Sequence, residues 1–104
     1  MRTRIPLLLL ALLASSSQSA TLFGAYDCSQ WFSLTQDPLP KTWLLGYLSG
    51  MDYATPTHSA LDRLKSAEQA YLWMDNYCKA NPSKKISDGA KQLYNELEKN
   101  AAKR

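Results

Sequence analysis

Few side chains in this 104-residue chain could do chemistry, and the two cysteines are the most informative. Cys28 sits in "YDCSQWF" and Cys78 in "WMDNYCKANP". A redox pair would stand as Cys-x-x-Cys, and these two are far apart. A metal pair would need further ligands, and the only histidine, His58, falls in a segment that reads as a loop. Two readings stay open, a structural disulfide and a pair of free thiols. Catalytic alternatives have little to stand on. The chain has no HExxH, phosphate-loop or GxSxG motif, and nothing pairs His58 with a nucleophile. Asp27, beside Cys28, and Asp75, in an aromatic-rich helix, could act as acids in principle, but exposed or capping carboxylates are far commoner. The expectation is a protein that is not an enzyme and needs no cofactor or metal.

The compartment decides between disulfide and thiols. The chain opens "MRTRIPLLLLALLASSSQSA". Arg2 and Arg4 supply a positive start, residues 5–14 an apolar run, and residues 15–19 a small, polar stretch with Ser17 and Ser19 at −3 and −1 of a cut. This is the layout of a secretory signal peptide, and the run is shorter than the ~20 residues that span a bilayer. Residues 1–19 are read as a cleaved leader and 20–104 as one small domain. The expected location is the periplasm, with no stable membrane insertion after cleavage. A secreted domain with an even number of cysteines reads as disulfide-bonded, so Cys28 and Cys78 are expected to pair. In the chain-entropy model a loop of this size contributes roughly 4 kcal/mol, a large share of the ~5–15 kcal/mol that holds a domain together.

The elements that would position this bond are helical. A short first segment over 28–34 stops before Pro38 and Pro40. The second starts at Pro40 and carries Trp43, Leu44, Tyr47, Leu48 and Met51 at helical spacing. Gly46 and Gly50 lie four apart in it. Each costs about 1 kcal/mol relative to alanine, which points to close approach of another backbone. A connector over 55–66 has room for one helical turn. Ser66 and Gln69 match a capping box, opening a third helix with an inner face of Ala67, Ala70, Tyr71, Met74, Tyr77 and Cys78. Asn81 and Pro82 end it. The fourth starts at Ser87 and Asp88 and lines up Ala90, Leu93, Tyr94, Leu97 and Ala101. No segment alternates with period two. The expected fold is all-α, a small four-helix orthogonal bundle pinned by one disulfide.

Charge and composition narrow the partners. The precursor carries 12 Lys and Arg against 9 Asp and Glu, a net charge of +3. Loss of Arg2 and Arg4 with the leader leaves a net of +1, which does not suggest nucleic acid. The charge is uneven, with a net of −3 over residues 20–78 and +4 over 79–104; a solvated helix face is the favoured explanation of the basic end. The three Trp, six Tyr and two Phe all fall after the leader. That is much aromatic surface for so small a core, and apolar patches mark interfaces. A protein-binding function is the default.

With cysteines and helices placed, the chain resembles the HdeA/HdeB family of small periplasmic acid-stress chaperones, more on the HdeB side. The stretch that carries the resemblance is "YCKANPSKKISDGAKQ", residues 77–92, with a cysteine, a basic residue and an Asn-Pro pair after a core helix. "CSQWFSL", residues 28–34, is similar to the family's first cysteine and its aromatic followers, and Pro40 and Trp43 come next. "LLGYLSGMDYATPTHSALDRL" departs from those chaperones. A weaker likeness runs to the Rap1a/Tai-type immunity proteins of toxin systems, small helical domains with a tryptophan-glycine helix. The chaperone resemblance implies a homodimer at neutral pH that opens in acid and holds unfolding client proteins on apolar surface. Trp43, Tyr47, Leu48, Tyr71 and Met74, on the inner faces that would part, are then the candidate client or partner surface. The immunity-protein likeness implies instead a module for a single protein partner.

Export predicts a mature chain beginning near residue 20. Mass spectrometry of the periplasmic fraction should find the species cut near Ser19; an intact 104-residue chain there would refute it.

Overall fold

A computed structural model describes residues 21–57 and 59–102. The expected leader and His58 lie outside the described residues. Among the described residues four α-helices follow in order: α1 (Cys28–Ser33), α2 (Leu39–Ala54), α3 (Ala67–Ala80) and α4 (Ile86–Ala102), with one 3-10 turn (Ala60–Arg63) between α2 and α3. Among the described residues there is no β-strand, and the fold is the expected all-α bundle pinned by one disulfide. Cys28 and Cys78 are bonded, with their Cα atoms 5.1 Å apart, and both are fully buried.

The helix ends are set by local chemistry. The Asp27 carboxylate accepts from the Gln30 backbone N–H at 2.8 Å, and the Gln30 side chain accepts from the Asp27 N–H at 3.0 Å. This reciprocal box caps α1. The box expected at Ser66 is not made: the Ser66 side chain caps nothing, and Gln69 accepts from the Lys65 N–H instead, at 3.2 Å. Helix α4 begins one residue before Ser87, which lies buried inside its first turn. Asp88 accepts from the Lys85 N–H at 3.1 Å. Helix α2 begins at Leu39, whose N–H is taken by Asp37 at 2.9 Å, with Pro40 in the first turn.

The inner faces read from spacing form one core. Leu44 and Leu48 of α2, Ala70, Met74 and Cys78 of α3, and Ala90, Leu93, Tyr94 and Leu97 of α4 are buried together with Cys28, Trp31, Ala60 and Ile86. Helix α4 packs on α2, α3 and the 3-10 turn, while α1 packs on α3. The chain just before α1 pairs with the chain just before α4. Cys28 N–H donates to the Lys84 carbonyl and Ile86 N–H to the Tyr26 carbonyl, both at 3.0 Å. The two helix starts are thereby tied side by side.

A second expectation is also corrected. Gly46 and Gly50 are exposed, and a Cβ on either would meet nothing within 4 Å. The close approach occurs at Gly89. A Cβ there would lie 2.7 Å from Tyr77 Cδ2 and 2.8 Å from the Met74 sulfur. The reason lies in packing: helical spacing places a glycine on a face, but only the neighbouring helix decides which face is crowded.

The glycines should therefore respond with opposite signs. Gly46→Ala and Gly50→Ala remove a helix penalty of up to ~1 kcal/mol each and should raise the urea midpoint. Gly89→Ala gains the same propensity but overpacks the α3–α4 contact, a cost of about 1–3 kcal/mol, and should lower it. Equal midpoint shifts for the three would contradict the packing described.

Candidate functional site

The five residues named as a binding surface do not form one open patch. Leu48 and Met74 are core, essentially without exposure. Trp43, Tyr47 and Tyr71 are half-buried against that core. Trp43 and Tyr47 stack at 5.0 Å, with their planes 11° apart. The segment before α1 meets Trp43: Gly24 has a φ of 70° that suits glycine, a Cβ on it would lie 3.5 Å from the Trp43 ring, and the Trp43 indole N–H donates to the Phe23 carbonyl at 2.9 Å. Tyr71 sits between the Trp31 ring, 6.3 Å away, and the Lys41 ammonium, 5.5 Å from its centroid. Leu48 and Met74 are inner-face residues, as their spacing implies, while Trp43, Tyr47 and Tyr71 lie at the edge of the core and already present part of their rings.

What joins the helices is a set of carboxylates facing aromatic donors. The Trp31 indole N–H of α1 donates to Asp75 of α3 at 2.6 Å. The Trp73 indole N–H of α3 donates to Glu96 of α4 at 3.2 Å. The Tyr94 hydroxyl of α4 donates to Asp52 of α2 at 3.0 Å. The α1–α3, α3–α4 and α4–α2 seams thus each carry one bond from a neutral aromatic donor to a carboxylate. Burial, reinforced by Asp52, holds the Tyr94 phenol above its ordinary value, so it stays a donor through the neutral range. Among the described residues no buried side-chain nitrogen or oxygen lacks a partner.

These seams respond to acid in one direction. A bond to an ionised acceptor is about twice as strong as a neutral one, and carboxylates ordinarily protonate near pH 4. Protonation leaves each acceptor in place but removes its charge. The α1 cap behaves alike. The Ser29 hydroxyl, the Gln30 N–H and the Lys85 charge hold the Asp27 carboxyl below its ordinary value. A carboxyl whose folded value lies below its unfolded one stabilises the fold fully above the unfolded value, about pH 4. That contribution is lost as the pH falls through the folded value.

The described residues contain no group of three His, Cys, Asp or Glu side chains placed to hold a metal ion, and no helix long and apolar enough to cross a membrane. The large exposed apolar side chains are scattered over several elements: Leu22 and Phe23 before α1, Phe32 on α1, Leu39 and Tyr53 on α2 and Leu72 on α3. No family model, curated protein or solved structure matches this chain.

Sequence reasoning passed over the seams. Asp75 was expected to be exposed or capping, yet it is half-buried and bonded to a tryptophan 44 residues earlier. The available signal was the tryptophan itself, since a buried indole N–H finds an acceptor; the sequence does not say which.

The Trp31–Asp75 bond should be measurable as a coupling. In a double-mutant cycle of Trp31→Phe and Asp75→Asn, urea unfolding at pH 7 should give an interaction energy of about 1 kcal/mol. At pH 2.5 the coupling should approach zero. A coupling of equal size at both pH values would remove the carboxylate charge from the account.

Proposed function

We propose that this protein is a small exported client-binding protein of the HdeA/HdeB type, closed at neutral pH and opened by acid in the periplasm. The observation that carries the reading is the set of carboxylate-to-aromatic bonds on three helix seams. Each bond is weaker to a neutral than to an ionised acceptor, and two of them adjoin half-buried aromatic residues, Tyr71 beside Trp31 and Tyr77 beside Trp73. Charge acts in the same sense. With the nine carboxylates neutral, the ten mature basic residues, His58 and the amino terminus leave about +12, and self-repulsion favours a looser state. The disulfide limits how far the chain can open. The surface released is that of Trp43, Tyr47, Leu48, Tyr71 and Met74, large apolar side chains suited to unfolding clients.

A second reading, a module for one protein partner such as an immunity protein, draws on a different observation. A groove beside the disulfide is already open in the closed molecule, lined by Phe32 and Pro82.

Binding of a hydrophobic dye to the mature, oxidised protein should rise as the pH falls from 7 to 2, with a midpoint between about pH 3 and 5. The same range should bring suppression of aggregation of an acid-unfolding client. Reduction of Cys28–Cys78 should turn the opening into full unfolding by circular dichroism. A dye signal that stays dark to pH 2, with no client protection, would reject the chaperone reading in favour of the single-partner module.

A further inference from the structure

We propose that the Cys28–Cys78 bond is a redox latch: at neutral pH its reduction by a dithiol frees α1 and the chain before it from α3, while α2, α3 and α4 stay folded. Helix α1 contributes little to the bundle. It packs on α3, and Cys28 and Trp31 are its residues in the core. The rest of the core comes from α2, the 3-10 turn, α3 and α4. Residues 34–38, which link α1 to α2, place no buried side chain among it. Six residues are also too few for a helix to stand alone. Besides the disulfide, α1 is held by the Trp31–Asp75 bond and by the backbone bonds of Cys28 to Lys84 and of Tyr26 to Ile86. Those few contacts are set against the chain freedom that the whole released segment regains.

The other helices are held by different contacts. Helix α4 packs on α2, α3 and the 3-10 turn. At pH 7 the Trp73–Glu96 and Tyr94–Asp52 bonds across those seams keep their ionised acceptors. The bond itself lies close behind the surface. Both cysteines are buried, yet Cys28 backs an open groove of about 490 Å³ that it shares with Ser29, Phe32, Ser33 and Pro82. One thiolate of the dithiol attacks the Cys28 sulfur, and the Cys78 sulfur leaves. The second thiol then closes the dithiol's own disulfide and releases Cys28. Two electrons pass to the protein, the dithiol is oxidised, and its two protons end on the two cysteines. Release uncovers Trp31 and Tyr71, whose rings meet across the α1–α3 seam at 6.3 Å. Tyr71 belongs to the proposed client surface, so the latch regulates access to part of it; the inference itself rests on the packing of α1 and not on acid opening.

The test is amide hydrogen exchange at pH 7 on the mature protein, oxidised and in excess dithiothreitol. The reporters are the hydrogen-bonded amides of Cys28, Trp31 and Leu34. They should be protected in the oxidised protein and exchange at the rate of an unfolded chain in the reduced one, while α2, α3 and α4 remain protected. Chymotrypsin should then cut the reduced protein after Trp31 or Phe32 and leave a resistant fragment that runs on through α4. The double variant Cys28→Ser, Cys78→Ser should show the same pattern with no reductant present. Protection of α1 that survives reduction would overturn the proposal, because the bond then latches nothing. Loss of protection along the whole chain, in the reduced protein or the double variant, would overturn it too, since the bond then clamps the entire fold. So would a bond that excess dithiothreitol reduces only in urea. A protein whose α1 is released on reduction but which never opens in acid keeps the latch and loses the chaperone reading. One that opens in acid and keeps α1 docked when reduced at pH 7 does the reverse.

Discussion

The Cys28–Cys78 bond is the constraint on which the rest of the architecture depends. Helix α1 has six residues, well below the ~12–15 at which an isolated helix is even marginal in water. It persists because the bond holds its first residue against α3, and because three further devices act at the same place. The Asp27–Gln30 box satisfies the cap. The chain on either side of Asp27 is hydrogen-bonded to residues 84 and 86. Trp31, one turn in, is anchored on Asp75. With α1 held there, the two sulfurs are covered and the start of α4 is fixed beside it.

From that fixed start, α4 runs through the middle of the bundle. It touches α2, α3 and the 3-10 turn, and it approaches α3 closely because Gly89 leaves room for Tyr77 and Met74. Trp73 and Tyr77 stack at 5.4 Å on the neighbouring stretch of α3. The core is mostly aliphatic and sulfur-bearing, with Trp31 and Tyr94 the aromatic residues buried in it. Tyr26, Trp43, Tyr47, Tyr71, Trp73 and Tyr77 pack at the core edge, where the Trp43 indole reaches the Phe23 carbonyl and the Trp73 indole reaches Glu96. This arrangement suits a small protein. The rings supply apolar area that a short chain otherwise lacks, and the three indole N–H groups and the Tyr94 hydroxyl each have an acceptor.

The choice of carboxylates as seam acceptors has a physical consequence. A backbone carbonyl would make a bond of similar geometry that ignores acid, as the Trp43 bond to the Phe23 carbonyl does. A carboxylate makes the bond strong when ionised and weaker when neutral. Such acceptors stand on three helix pairs, while the covalent bond between α1 and α3 does not respond to pH. The proposed acid opening rests on this contrast between titrating joints and a fixed pin.

The helices and their inward faces were legible without the structure. Ala70, Met74 and Cys78, or Ala90, Leu93, Tyr94 and Leu97, recur with the period of the helix, and that periodicity is a local property of the chain. The pairing of the two cysteines was legible too, because two cysteines allow only one intramolecular bond. Contacts between elements were not. The crowded glycine proved to be Gly89 rather than Gly46 or Gly50, the capping box formed at Asp27 rather than Ser66, and the acceptor for Trp31 lay 44 residues away at Asp75. Local spacing determines which side of a helix is apolar; which side chains then meet, and which carboxylate ends beneath which ring, depends on how the helices are set against one another, and tertiary packing alone decides that.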